Sequence, residues 1–187
     1  VWRFTQNTDF NGIVLFDPAA LVDFYGGRIR KGTNLFRKFT TTDDGDEMLR
    51  LGIVVPVLAI DDAGYTVIVR TADESSPVES CVMMTNGAFP LYVRGEAVLA
   101  DLAVFREWEY GTDWTHVPIA VGRYSVDVRG FRRLATRGRN ILDAGYEFVL
   151  KPVRRLPRVT GETGMKMQTP LCPRFRRERT LKRAACP

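Results

Sequence analysis

Residues 123–129 alternate without a break, Tyr124, Val126 and Val128 on one side against Arg123, Ser125, Asp127 and Arg129 on the other. A period of two belongs to a strand with one face buried and the other wet. The same pattern recurs along the chain. Tyr65, Val67 and Val69 alternate with Thr66, Ile68 and Arg70, and further strand-like segments lie at 3–8, 12–16, 48–60, 79–85, 88–94 and 146–153. Residues 96–108 read as a strand or a short helix. Pro56 requires an edge position, a bulge or a break within its segment. Asn86-Gly87 is the strongest hairpin signal, because both residues tolerate the positive φ of a type I′ turn, and Asp61-Asp62-Ala63-Gly64 reads as a second hairpin loop. One helix start is plain: Asp17 as N-cap with Pro18 at the first position predicts a helix over 18–25, ended by Gly26-Gly27. Residues 31–42 are mixed, and Asp43-Asp44-Gly45-Asp46-Glu47 reads as a turn or exposed loop. About eight strands at short intervals, with no long helical segments between them, predict a mainly β fold. The expected architecture is an antiparallel β-sandwich or open barrel with one short N-terminal helix.

The 187 residues are enough for one core, a chain of this size burying roughly 70% of its unfolded surface. The net charge of +5 conceals a split: residues 1–128 carry a balance of −7 and residues 129–187 one of +12. An acidic body therefore carries a basic end. Branched apolar residues thin out after Pro157, so a single β-sandwich domain is expected over 1–157 and a basic, mobile tail over 158–187. The longest apolar run, 53–60, is far short of the ~18 residues of a membrane span, and no membrane partner is expected. Three cysteines (Cys81, Cys172, Cys186) and one histidine leave neither a short-spaced zinc site nor an even disulfide framework. Cys81, in an apolar strand, reads as a buried thiol, and a reducing compartment is expected.

Residues that could carry chemistry are sparse. His116 has Asp113 three positions away but no serine or cysteine in a nucleophile turn, so it reads as a loop residue before a strand. Asp43, Asp44, Asp46 and Glu47 lack the spacing of a calcium loop, and Asp61-Asp62 reads as a solvated turn. Residues 26–32 are glycine-rich and basic but follow a helix instead of opening one, which removes the phosphate-loop reading. No catalytic residue, metal or cofactor is expected. The segment Glu107-Trp108-Glu109-Tyr110-Gly111-Thr112-Asp113-Trp114 combines three large aromatics with three carboxylates and no base. Tryptophan and tyrosine anchor interfaces, and surrounding carboxylates select a basic partner. The alternative is that Trp108 and Trp114 are core residues at a sandwich corner. In the tail, Arg174, Arg176, Arg177, Arg179, Lys182 and Arg183 surround Phe175, too few aromatics to stack bases, and direct nucleic-acid binding is not expected.

The stretch Val117-Pro118-Ile119-Ala120-Val121-Gly122-Arg123-Tyr124-Ser125-Val126-Asp127-Val128, in which proline opens a turn and tyrosine begins a strand, resembles a segment of small bacterial β-sandwich proteins of the competence protein J-like nuclease-inhibitor and immunity type. Val14-Leu15-Phe16-Asp17-Pro18-Ala19 and Gly145-Tyr146-Glu147-Phe148-Val149-Leu150 are similar to the flanking segments of such proteins. The resemblance implies a non-catalytic, cytoplasmic inhibitor of a bacterial toxin such as a nuclease. The charge reading agrees, since a nuclease presents a positive cleft that carboxylates can occupy in place of phosphates. The expected partner contacts are Asp43, Asp44, Asp46, Glu47, Asp61, Asp62, Glu107, Glu109 and Asp113, with Trp108, Tyr110 and Trp114 as anchors. The other readings open at this point are a β-sandwich carbohydrate- or nucleic-acid-binding module and an enzyme with a dispersed acidic site.

Overall fold

The computed structural model describes residues 1–135 and 140–167. The chain runs β1 (Trp2–Asn7), β2 (Gly12–Phe16), α1 (Pro18–Phe24), α2 (Leu35–Thr41), α3 (Asp44–Leu51), β3 (Val54–Leu58), β4 (Gly64–Thr71), β5 (Val82–Val93), β6 (Ala97–Asp101), β7 (Thr115–Val117), β8 (Gly122–Leu134) and β9 (Ile141–Pro152). The strands form a five-stranded sheet in the order β1-β4-β9-β8-β5 and a four-stranded sheet in the order β3-β2-β6-β7. The fold is mainly β and sandwich-like, as the alternation predicts. Tyr65, Val67 and Val69 of β4, Phe148 and Leu150 of β9 and Val126 and Val128 of β8 share one core cluster with Ile13 and Leu15 of β2 and Val98 of β6. Pro56 lies on β3, an edge strand, where its missing N–H leaves no ladder bond unmade.

Three local expectations are corrected. The first concerns helices. Asp43-Asp44-Gly45-Asp46-Glu47 is no exposed loop: Asp44, Asp46 and Glu47 form the first turn of α3, with Arg50 in the last turn and Gly52 at φ +72° ending it. Acidic side chains at the start and a basic one at the end complement the helix dipole, and Met48 and Leu49 bury the inner face. α2 is also helical, capped by the Asn34 side chain, which accepts from the Arg37 N–H at 2.8 Å. Asp17 does cap α1, and its buried carboxylate accepts from the N–H groups of Ala20, Arg94 and Gly95 at 3.0, 2.6 and 3.1 Å. One side chain thereby joins α1 to the connection between the two sheets.

The second correction concerns Asn86-Gly87, which makes no hairpin. β5 runs straight through it and pairs with β8, with a register shift between Asn86 and Phe89. The irregularity turns backbone groups outward, and residues 160–162 take them. Thr160 N–H donates to Ala88 O at 3.0 Å, and Asn86 exchanges two 2.9 Å hydrogen bonds with the backbone of Glu162. Met167 is then buried, its carbonyl accepting from the Tyr146 hydroxyl at 2.8 Å. Contacts thus continue past Pro157 to Met167, and the remainder of the expected tail, with Cys172 and Cys186, lies outside the described residues.

The third correction concerns pairing. Residues 61–64 carry the chain from β3 in one sheet to β4 in the other, and β4 pairs with β9 in parallel. The two strands approach so closely that a Cβ on Gly145 would lie 1.7 Å from the Thr66 carbonyl oxygen. On the outer face of this sheet, residues 72–81 fold over Ile68 and Phe131, with Val78 buried and Cys81 half-buried against them. Beneath them Glu147, fully buried, takes Arg70 Nε at 2.9 Å and the Ser76 hydroxyl at 2.6 Å on one oxygen. Arg129 Nη1 lies 3.0 Å from its other oxygen. A buried carboxylate is tolerated because two guanidiniums surround it.

Candidate functional site

β1, β6 and the loop between β6 and β7 enclose an open cleft of about 790 Å³. Among the described residues its walls carry the carboxylates of Asp9, Asp101, Glu107, Glu109 and Asp113 against a single base, Lys31, together with Trp114 and, along the β1 side, Thr5, Gln6 and Asn7. Lys31 is itself paired with Glu109.

Asp101, the last residue of β6, organises the floor. One oxygen accepts from the Ala103 N–H at 2.8 Å and starts the short 3-10 turn Leu102–Phe105, while the other accepts from the Asp9 N–H. Burial pushes the Asp101 carboxyl above its usual range; these two N–H donors oppose the shift, and the nearby charges of Asp9 and Asp62 reinforce it. Asp62 accepts from the Asn11 N–H at 2.8 Å and so lies beside the same loop. Carboxylates packed this closely create a negative potential that a cation relieves.

The rim is built on aromatic packing. Trp108 is 1% exposed, its ring 6.4 Å from Phe105 and 5.7 Å from Trp114. Its backbone is tied to the connection between α1 and α2, Gly32 N–H donating to Trp108 O at 2.8 Å and Trp108 N–H to Thr33 O at 3.1 Å. Trp114 is half-buried, edge-on to Phe16 of β2 at 5.6 Å. Tyr110 stands on the outside of this stack, 4.9 Å from Trp114 and 58% exposed. Gly111 and Asp113 turn the loop with φ of +79° and +58°.

Of the residues expected to meet a partner, Glu107, Glu109, Asp113 and Trp114 line this one cleft, Tyr110 projects beside it, and Asp62 lies next to its floor. Trp108 is a core residue, because its ring fills the space behind the loop; it holds the site without being available to a partner. Asp61 is exposed, its carbonyl accepting from the Tyr65 hydroxyl. The α3 acids are placed elsewhere. Asp44 accepts from the Tyr25 hydroxyl at 2.8 Å, Glu47 is paired with Arg50, Asp43 precedes the helix, and Asp46 borders a smaller apolar hollow of about 190 Å³ between Phe36, Phe39 and Pro56. Asp9, Asp101 and Lys31 escaped the sequence reading. Asp101 alone left a trace, an aspartate at a strand end in N-cap position.

His116 is exposed on β7, its Nδ1 3.0 Å from Glu96, and it is not among the residues lining the cleft. Among the described residues no group of three or more histidine, cysteine, aspartate or glutamate side chains converges as a metal ion needs, and no helix is long and apolar enough to cross a membrane.

No protein-family model matches the chain, and no curated protein matches it in sequence. Two solved structures are similar to it. One is ComJ from Bacillus subtilis, an inhibitor of the DNA-degrading activity of NucA, with 10% identity over 82% of this chain and 96% of that one and a TM-score of 0.47. The other is described as crocagin biosynthetic gene J, with 12% identity over 81% and 96% and a TM-score of 0.44. The first is of the type that the sequence itself resembles. At these scores neither likeness carries a residue's role across.

Proposed function

We propose that this chain is a non-catalytic binding protein that seats a basic surface of a partner protein in its acidic cleft. The observation that carries the reading is the convergence, among the described residues, of five carboxylates, from Asp9 to Asp113, and one lysine on one open cleft, beside the exposed ring of Tyr110. Basic side chains entering the cleft exchange water for preformed carboxylates, and Tyr110 supplies the aromatic contact at the rim. The partner chemistry this fits is that of a nuclease, whose phosphate-binding surface must be cationic. In this reading the protein is an immunity protein, neutralising a bacterial nuclease toxin in the cytoplasm of the cell that carries it. A flat carbohydrate platform is not favoured, since Trp108 is buried and Trp114 is packed between Phe16, Trp108 and Tyr110.

The test is capture of the partner from the source bacterium, followed by a DNA-cleavage assay of the captured protein. An equimolar amount of the chain should suppress cleavage, and Glu107→Lys with Asp113→Lys should release it. Cleavage unaffected at equimolar ratio, or a captured partner with no basic surface, would overturn the reading.

A further inference from the structure

The corner of the molecule diagonal to the cleft carries the opposite charge. β1 and β5 are the two edges of the five-stranded sheet. The pairing registers put Thr5 to Asn7 of β1 at the end where β5 begins, and Tyr92 where β5 ends. There two guanidiniums lie against the Tyr92 ring, Arg123 at 4.4 Å and Arg94 at 5.2 Å from its centroid. Arg94 has one loose carboxylate neighbour, Asp23 at 3.6 Å.

More cations gather beside them. Arg123 lies opposite Tyr92 in the β5–β8 register, and Lys151 lies opposite Ser125, on the outer face that Arg123 and Ser125 share. The chain leaving β9 donates from Val153 N–H to Arg123 O at 2.9 Å, then passes Arg154 and Arg155, both exposed, to reach Leu156 at Gly52. Gly52 O in turn accepts from Tyr92 N–H at 2.7 Å. Among the described residues, Arg123, Lys151, Arg154 and Arg155 enter no ion pair with a carboxylate.

Like charges gathered with few counter-charges repel one another, and a bound polyanion removes that cost. Guanidiniums stacked on an aromatic ring keep their planes fixed and their outer N–H groups free, a fork that matches phosphate oxygens. A positively charged open face tracks the backbone of a single strand without reading its sequence; with one ring, Tyr92, the contacts fall on phosphates and not on stacked bases, and the expectation against nucleic-acid binding, which was drawn from the tail, does not cover this face. We propose that Tyr92, Arg94 and Arg123, with Lys151, Arg154 and Arg155 beside them, form a second interaction surface that holds the phosphate backbone of single-stranded nucleic acid. This surface is independent of the cleft. If the cleft holds a nuclease, it would also keep the inhibitor close to that enzyme's substrate.

The experiment measures fluorescence anisotropy of a labelled oligothymidylate of about 20 nucleotides with the full chain, over about 50 to 300 mM salt. The triple variant Arg123→Glu, Arg154→Glu, Arg155→Glu should bind at least about tenfold more weakly at the low-salt end and flatten the log–log salt dependence by about 2. Should the triple variant not fold, the single variants Arg123→Glu and Arg155→Glu, both on exposed side chains, should each lose about threefold. Three results would overturn the proposal: no binding by the wild type at low salt, equal affinity in a folded charge-reversed variant, or displacement by polyglutamate as effective as by unlabelled oligonucleotide. The last would assign the surface to an acidic protein.

Discussion

Trp108 and Tyr110 sit two residues apart and have opposite fates. Trp108 is buried against Phe105 and Trp114, and Tyr110 is 58% exposed beside the same cleft. Truncating Trp108 to alanine should cost about 3–5 kcal/mol of stability, read as a shift of the urea midpoint. Truncating Tyr110 should leave the midpoint within about 0.5 kcal/mol and weaken partner binding about tenfold or more, read by titration calorimetry. Asp101 gives the cleft a pH dependence. Its carboxyl is raised above the ordinary 3.8 chiefly by burial, so between 3.8 and the raised value the native state holds more protons than the unfolded one. Stability from this group is therefore greatest on the acid side and falls as pH rises through that window, levelling off above it. Asp101→Asn should remove this part of the slope in urea unfolding measured from pH 4 to 7. Acidification should weaken a cationic partner in the wild type, because protonated Asp101 no longer contributes its charge.

At the scale of elements, short helices and edges survive through caps and shared packing, since a seven-residue helix has little stability of its own. The Asp17 carboxylate does this for α1 while also binding two N–H groups of the turn before β6. Asp17→Ala strands three donors at once and should cost about 3 kcal/mol. Asp17→Asn, which keeps one accepting oxygen, should cost roughly half as much, with thermal melts of the two variants as the comparison. The α3 acids serve their element through charge and not through a cap bond: Asp44, Asp46 and Glu47 stand in its first turn, where they complement the helix dipole.

For the whole molecule, one core cluster joins both sheets and extends to Met167. Ending the chain at Pro157 would expose the site that Met167 fills and leave Asn86 and Ala88 without the hydrogen bonds of residues 160–162. The truncated chain should be less stable by about 3 kcal/mol or more, checked by chemical denaturation. Charge among the described residues is also unevenly placed, carboxylates at the cleft and arginines at the diagonal corner of the five-stranded sheet. Association at the cleft should accordingly slow as salt rises, with a smaller change in dissociation, in stopped-flow measurements.

Period-two alternation at residues 65–70 and 123–129 was enough to determine a mainly β fold, because burying one face of a strand requires it whatever the partner strand. Asp17-Pro18 likewise determined a helix start, since the cap bonds only its own neighbours in sequence. The acidic and aromatic loop at 107–114 was legible as a place of interest for the same reason of locality. Tertiary structure alone decided the rest. Asn86-Gly87 has the chemistry of a tight turn, yet it lies inside β5, where pairing with β8 continues on both sides of a register shift and residues 160–162 bond the Asn86 side chain and the Ala88 backbone. Asp44 to Glu47 became helical because Met48 and Leu49 had a core to enter. The cleft is assembled from positions 9, 31, 101 and 107–114, and the basic corner from 92, 94, 123 and 151–155. Charges so far apart along the chain become one field only when strand pairing brings them within reach of each other.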